Sequence, residues 1–295
     1  MVNWNPITTF NDGKFNWITH SDDAVLPGYV NDTDHPFTYC YSLTHVDPTT
    51  GNPDTGFCIG DDPKLFQKNL LKMPSSWKYR TKKVEYKVNA SGYRTKEWKD
   101  IDWKNSVVIF GCSMTFGTGL NEDETISYHL EKKLGRPVIN LGYPSGSNNL
   151  ILNNSAACIE NFEIPWGVVI NWSTTDRFRF YEKMGYIDTG PWLNPNNKPV
   201  MSENVNVSDL WLNFYYNPAN EKTTSFYLSR AAKAMWESRT KYCTISYFED
   251  SAHVTRSDQV FLINPNDRAR DVIHPGEGDS IKVAEYLSKK LNGII

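Results

Sequence analysis

From about residue 105 onward, short apolar runs alternate with stretches that carry apolar residues at helical spacing. The runs at 107–110, 138–141, 168–172 and 242–247 are short and mostly apolar, and the continuous stretches 107–110 and 168–170 predict strands buried on both faces. Between them, residues 124–134 place Ile126, Leu130 and Leu134 at i, i+4 and i+8 and stop on Gly135. Helical spacing also marks 148–162, with Leu150, Ile151 and Ala157, and 221–239, with Phe226, Ala231 and Met235. A last helix over about 279–291 follows Pro275-Gly276. Strand and helix in alternation predict an α/β domain over 105–295 whose parallel sheet is covered on both faces.

Residues 1–104 follow another pattern. Asn, Asp, Thr, Pro and Gly punctuate them, and one clean alternation stands out: Val84, Tyr86 and Val88, followed by a turn at 89–92. An irregular, β- and loop-rich N-terminal segment packed on the α/β domain is expected. Residues 178–218 are aromatic and rich in Asn and Pro, which predicts a long insertion over one end of the sheet.

Composition narrows the classes. In 295 residues, 39% are hydrophobic and 22% charged, enough apolar surface for a packed core and too little charge for a disordered chain. A net charge of −3 gives no basic field for nucleic acid and no attraction to anionic membranes. The N-terminus lacks a charged region followed by an apolar one, and no apolar run reaches the ~20 residues of a membrane span, so a soluble, cytoplasmic product is expected. Cys40, Cys58, Cys112, Cys158 and Cys243 are odd in number and widely spaced, which fits reduced thiols better than a disulfide framework or a zinc site. No metal or cofactor is expected. Aromatics at 14% suit sugar-stacking surfaces and interfaces, and equally an irregular core.

Candidate chemistry lies in two segments. Residues 106–117 read Ser-Val-Val-Ile-Phe-Gly-Cys-Ser-Met-Thr-Phe-Gly, a buried strand that delivers Ser113 to the rim of a sheet. Residues 271–275 read Asp-Val-Ile-His-Pro. A serine hydroxyl needs an imidazole to take its proton, and the imidazole needs a carboxylate to fix its tautomer. Asp271 and His274, three apart, can face one way on a single turn. Ser113, His274 and Asp271 are therefore the expected catalytic residues. A Gly-x-Ser-x-Gly elbow is ruled out because Thr115 stands where its last glycine would be. His20, His35, His45, His129 and His253 are scattered and receive no role; Arg177 and Arg179 suit surface ion pairs or an acidic substrate.

Gly111-Cys112-Ser113, the run 140–149 (Asn-Leu-Gly-Tyr-Pro-Ser-Gly-Ser-Asn-Asn) and Asp271–His274 together resemble the first, second and closing blocks of SGNH (GDSL-type) hydrolases. The wording is similar to members from bacteriophage and bacterial genomes. Over roughly 105–295 the resemblance implies a flavodoxin-like, three-layer α/β/α fold with a central parallel sheet, its site at the carboxyl ends of the strands, and ester hydrolysis. It also implies an oxyanion hole built from backbone N–H groups of Ser113 and of Gly146, with Ser145 as the other match, and from the Asn171 side chain.

Two departures from the family pattern bear on activity. Cys112 replaces the usual Asp and is expected to be a packed thiol. Asn171 falls early for the third block, with Ser173 and Thr174 nearer the family position; losing one oxyanion donor costs ~10²–10³ in rate. The expected activity is thus a serine esterase acting on acyl esters, acetyl above all, of small molecules or polysaccharide. Alternatives are a weak or inactive virion or host-interaction protein on the same fold, associated with a phage particle or with itself, and an O-acyltransferase using the same three residues.

Overall fold

The computed structural model describes residues 36–40, 42–43, 50, 52, 54–182, 185–190 and 218–295, with backbone alone at 10–11, 14–15, 179–182, 185–189 and 218. Its strands are β1 (Phe10–Asn11), β2 (Lys14–Phe15), β3 (Val107–Gly111), β4 (Val138–Gly142), β5 (Gly167–Trp172), β6 (Phe178–Glu182), β7 (Gly185–Thr189), β8 (Lys241–Ser246) and β9 (Gln259–Val260). The helices are α1 (Pro63–Lys72), α2 (Ser113–Phe116), α3 (Ile126–Leu134), α4 (Asn148–Asn161), α5 (Pro218–Trp236), α6 (Glu249–Thr255) and α7 (Glu277–Leu291).

Five strands form an all-parallel sheet in the order β4-β3-β5-β8-β9. Alternate side chains of each strand enter different cores. Val108, Phe110, Val168 and Ile170 pack with Leu150 and Ile151 of α4 and with Ala232 and Trp236 of α5. On the opposite face, Val107, Ile109, Val169 and Ile245 pack with Ile126 and Leu130 of α3 and with Val283 and Leu287 of α7. This is the three-layer α/β/α arrangement that the alternating pattern predicts. Continuous apolar strands follow directly from burial on both faces.

Element ends shift where capping chemistry decides them. Helix α5 starts at Pro218, ahead of the expected 221, because proline suits the first helical position. Residues 122–124 form a 3₁₀ turn rather than the start of α3, since Thr125 caps α3 by accepting from Tyr128 N. Among the described residues, the aromatic insertion begins as the antiparallel pair β6–β7. Residues 191–217 lie outside them.

Among the described residues of the N-terminal segment, a helix stands where no helix was expected. Residues 63–72 form α1, capped by Asp62, whose carboxylate accepts from Leu65 N at 2.9 Å, with Pro63 opening the helix. Asp62-Pro63 was the legible signal. The alternation at Val84 and Tyr86 does bury every second side chain, but the stretch joins no ladder; Tyr86 N donates instead to Thr55 O at 2.7 Å. The turn at 89–92 is present: Asn89 Oδ1 accepts from Ser91 N and Tyr93 N.

Several described aromatics of this segment belong to the core. Phe37, Tyr93, Trp98 and Trp103 join the α4 side of the sheet, with Trp103 stacked on Phe162 at 3.8 Å. Buried Arg94 braces the end of α2, donating to Gly117 O and Leu120 O at 2.9 Å each. All five cysteines are buried, and none forms a disulfide. No helix among the described residues is long and apolar enough to cross a membrane.

One ion-pair cluster ties the segment to the loop before α3. Glu124, fully buried, accepts from Lys78 Nζ at 2.8 Å and lies 2.9 Å from Lys82 Nζ. Burial by itself raises its pKa, but the two lysines and the Asn121 N–H outweigh that and hold it below the usual carboxylate value. A carboxylate depressed in the folded state contributes stability above its unfolded pKa of about 4.3, and loses it as pH falls through the folded value. Glu124→Gln should therefore lower stability by about 1 kcal/mol at pH 7. In urea titrations the gap to the parent should close as the pH falls below about 4.

Candidate active site

Ser113 stands where β3 ends. Cys112, in extended conformation, hands the chain into α2, and Ser113 is its first residue, so its N–H is one of the donors a helix start leaves unpaired. This short helix lies tight against β4. A Cβ on Gly142 would fall 2.2 Å from Phe116 N and 2.7 Å from Thr115 C, so only glycine lets α2 sit there. Asn140 fastens the contact by donating from Nδ2 to Thr115 O at 2.9 Å. Cys112 is fully buried in the α3–α7 core, as expected of a packed thiol.

Asp271 and His274 share one turn because Asp271 uses both carboxylate oxygens. Oδ1 accepts from the backbone N–H groups of Ile273 (3.2 Å) and His274 (3.1 Å), and Oδ2 accepts from His274 Nδ1. Val272 between them has φ +64°, a strained value for a β-branched residue. Bonds on either side hold it: Val272 N donates to Ala269 O and Ala269 N to His274 O.

The two segments meet. With Nδ1–H committed to the carboxylate, Nε2 is an acceptor, and Ser113 Oγ–H donates to it at 2.7 Å. Ser113 is 5% exposed, His274 9% and Asp271 1%, so the chain of three is shielded from solvent, most completely at Asp271.

The expected oxyanion donors fare differently. The Gly146 N–H donates to Tyr143 O at 2.8 Å, closing a turn. Ser145 beside it has φ +67°, the left-handed conformation in which a glycine is usual. Asn171 is buried in β5, and its Nδ2 donates to Thr115 Oγ1 at 3.0 Å, while its Oδ1 has no partner. Ser173 is fully buried; its N–H goes to Asn148 Oδ1 at 2.9 Å. Arg177 is half-buried, and His129 and His253 lie away from the three central residues. The side chain of Arg179 and residues His20, His35 and His45 lie outside the described residues. Among the described residues no cluster of His, Cys, Asp or Glu could hold a metal ion.

No protein-family model matches the chain, and no curated protein matches it. Solved structures do. A G-D-S-L family protein from Desulfitobacterium hafniense DCB-2 is 14% identical, with 63% of this chain and 99% of that one covered at a TM-score of 0.39. AlinE4, an SGNH-hydrolase family esterase, is 13% identical, with 66% and 99% covered and a TM-score of 0.35. A carbohydrate esterase family 2 enzyme with a carbohydrate-binding domain from Corynascus thermopiles (Myceliophthora fergusii) is 11% identical, with 64% and 66% covered and a TM-score of 0.35.

The Asn171–Thr115 bond joins β5 to α2 beneath the serine. Thr115→Val keeps the shape and removes the acceptor, leaving a buried amide N–H unpaired. A loss of about 1–3 kcal/mol is expected, measured as a lower denaturant midpoint with an unchanged slope.

Proposed function

We propose that this chain is a serine ester hydrolase of the SGNH type, with Ser113 as nucleophile, His274 as general base and acid, and Asp271 as the carboxylate that orients the imidazole. The observation that carries the reading is the unbroken hydrogen-bonded chain Ser113 Oγ, His274 Nε2, His274 Nδ1, Asp271 Oδ2, with 2.7 Å at its serine end. Ser113 Oγ attacks the acyl carbonyl while its proton passes to Nε2. The carboxylate of Asp271 stabilises the imidazolium that forms. Collapse of the tetrahedral intermediate releases the alcohol, which takes the proton from Nε2. Water, deprotonated by the same nitrogen, then cleaves the acyl-Ser113 ester.

For the oxyanion, the Ser113 N–H at the start of α2 is retained as one donor. Ser145 replaces Gly146 as the other: the Gly146 N–H is spent on Tyr143, and the left-handed backbone of Ser145 fits the glycine position of the second block. Asn171 serves as the third donor only if its amide leaves Thr115 when substrate binds. Hydrogen bonds of an empty site often rearrange this way. The shielded serine supports a short acyl group such as acetyl, and an acetylated carbohydrate is the proposed substrate.

A second reading has its own observation. With Gly146 N–H and Asn171 Nδ2 both engaged, the same fold could be a weak or inactive scaffold. Hydrolysis of p-nitrophenyl acetate and labelling by a fluorophosphonate decide between them. The parent should turn over and label; Ser113→Ala should do neither, and Asp271→Asn should lose about 10⁴-fold in kcat. A parent that neither labels nor turns over would favour the scaffold.

A further inference from the structure

The turn at 58–61, far from the α/β domain in sequence, abuts the His274 ring. Cys58 N donates to Asp61 O at 3.2 Å and Asp61 N to Cys58 O at 3.0 Å, which closes the turn. Gly60, at φ +87°, passes so near that a Cβ built on it would lie 3.8 Å from His274 Cε1 and 3.6 Å from Thr118 Cγ2.

Asp61 itself is fully buried and carries a dense set of bonds. Its carboxylate accepts from Arg270 Nε at 3.1 and 3.2 Å, from Arg270 Nη2 at 2.7 Å, and from the Tyr86 hydroxyl. That hydroxyl accepts in turn from Gly119 N at 2.7 Å. Arg270 is the residue immediately before Asp271. Its Nη2 also donates to Gly56 O, and its guanidinium lies 4.6 Å from the Phe57 ring centre and 5.3 Å from that of Phe66. The main chain of Arg270 is held as well: its N–H donates to Gly119 O at 3.0 Å, and its O accepts from Asn69 Nδ2 at 3.2 Å.

We propose that Asp61 is a positioning residue, which through Arg270 sets the Asp271–His274 turn in register with the Ser113 hydroxyl. The inference rests on the catalytic reading given above. A buried ion pair is an inefficient source of stability, because desolvating two charges offsets most of their attraction. What a forked guanidinium on a carboxylate does supply is direction: it fixes the distance and rotation of its own backbone. Asp271 follows one peptide later, and its Oδ1 determines the turn that carries the imidazole. Catalysis is sensitive to displacements on this scale, since a 1 Å misplacement can cost on the order of 10²-fold in rate. The N-terminal segment therefore supplies a part of the catalytic geometry that the α/β layers do not contain.

Asp61→Asn keeps size and removes the charge. Tyr86→Phe removes only the hydroxyl and provides a gentler variant where the first fails to fold. Circular dichroism and thermal melts would establish folding of each. Expected for Asp61→Asn is a fall in kcat of about 10–100-fold with KM little changed, and a smaller fall of the same kind for Tyr86→Phe. Proton NMR reads the geometry without turnover, through the far-downfield Nδ1 proton of a carboxylate-bound imidazole. That signal should be present in the parent and lost or shifted in Asp61→Asn. A folded Asp61→Asn protein with parental kcat and an unmoved signal would overturn the proposal. A parent that has the signal, loses it in Asp61→Asn, yet shows no Ser113-dependent turnover would sustain the positioning role and sink the hydrolase reading instead.

Discussion

The hydrogen bond from Ser113 Oγ to His274 Nε2 spans 161 residues of sequence, and the proposed chemistry depends on closing that distance to 2.7 Å. Neither partner is placed by its immediate neighbours alone. Ser113 owes its position to a strand buried on both faces and to a four-residue helix pressed on β4 across Gly142. His274 owes its position to a turn that one carboxylate organises at both ends. A bond between two such supports is only as well defined as the support that yields more readily.

The supports are unequal. β3 is the centre of three paired strands, with Gly111 opposite both Gly142 and Asn171, so the serine end is fixed by sheet register. The histidine end hangs on a loop that contains a left-handed valine and is pinned by a single antiparallel bridge, Arg268 to Pro275, rather than by a sheet. Strain of this kind persists only where surroundings over-determine the backbone. Bonds from Arg270 to Asp61 of the N-terminal segment, and from Asp279 N at the start of α7 to Asp267 Oδ2, supply that over-determination. Arg94 does the same for the far end of α2. Residues 54–104 thus brace both halves of the site.

What could be read from the sequence follows this division. The strands were legible because burial on both faces writes an unbroken apolar run, as at 107–110 and 168–170. Ser113 and the Asp271/His274 pair were legible because each sits beside such a run or before a helix, at a spacing one turn can accommodate. Helix α1 went unread although Asp62-Pro63 announces it, since its apolar positions are diluted by exposed lysines. The alternation at Val84 and Tyr86 was read correctly as burial and wrongly as a strand. Periodicity reports which side chains are covered, whereas a ladder needs a partner backbone. The Asp61–Arg270 pair, 209 residues apart, leaves no trace in local pattern at all.

The oxyanion donors show where motif reading stops. Gly146 and Ser145 are adjacent, and a motif that asks for glycine favours the former. A backbone donor is chosen by where its N–H points, and that is set by the turn rather than by the side chain. The bond from Gly146 N to Tyr143 O closes a turn and uses up the glycine's donor. The same turn puts Ser145 into the left-handed region, at φ +67°. Serine tolerates that conformation at a cost of roughly 1–2 kcal/mol, which glycine would not incur. With serine at the left-handed position and glycine one step later, the turn lies one residue out of step with the motif that the sequence resembles. The proposed donor moves with the turn.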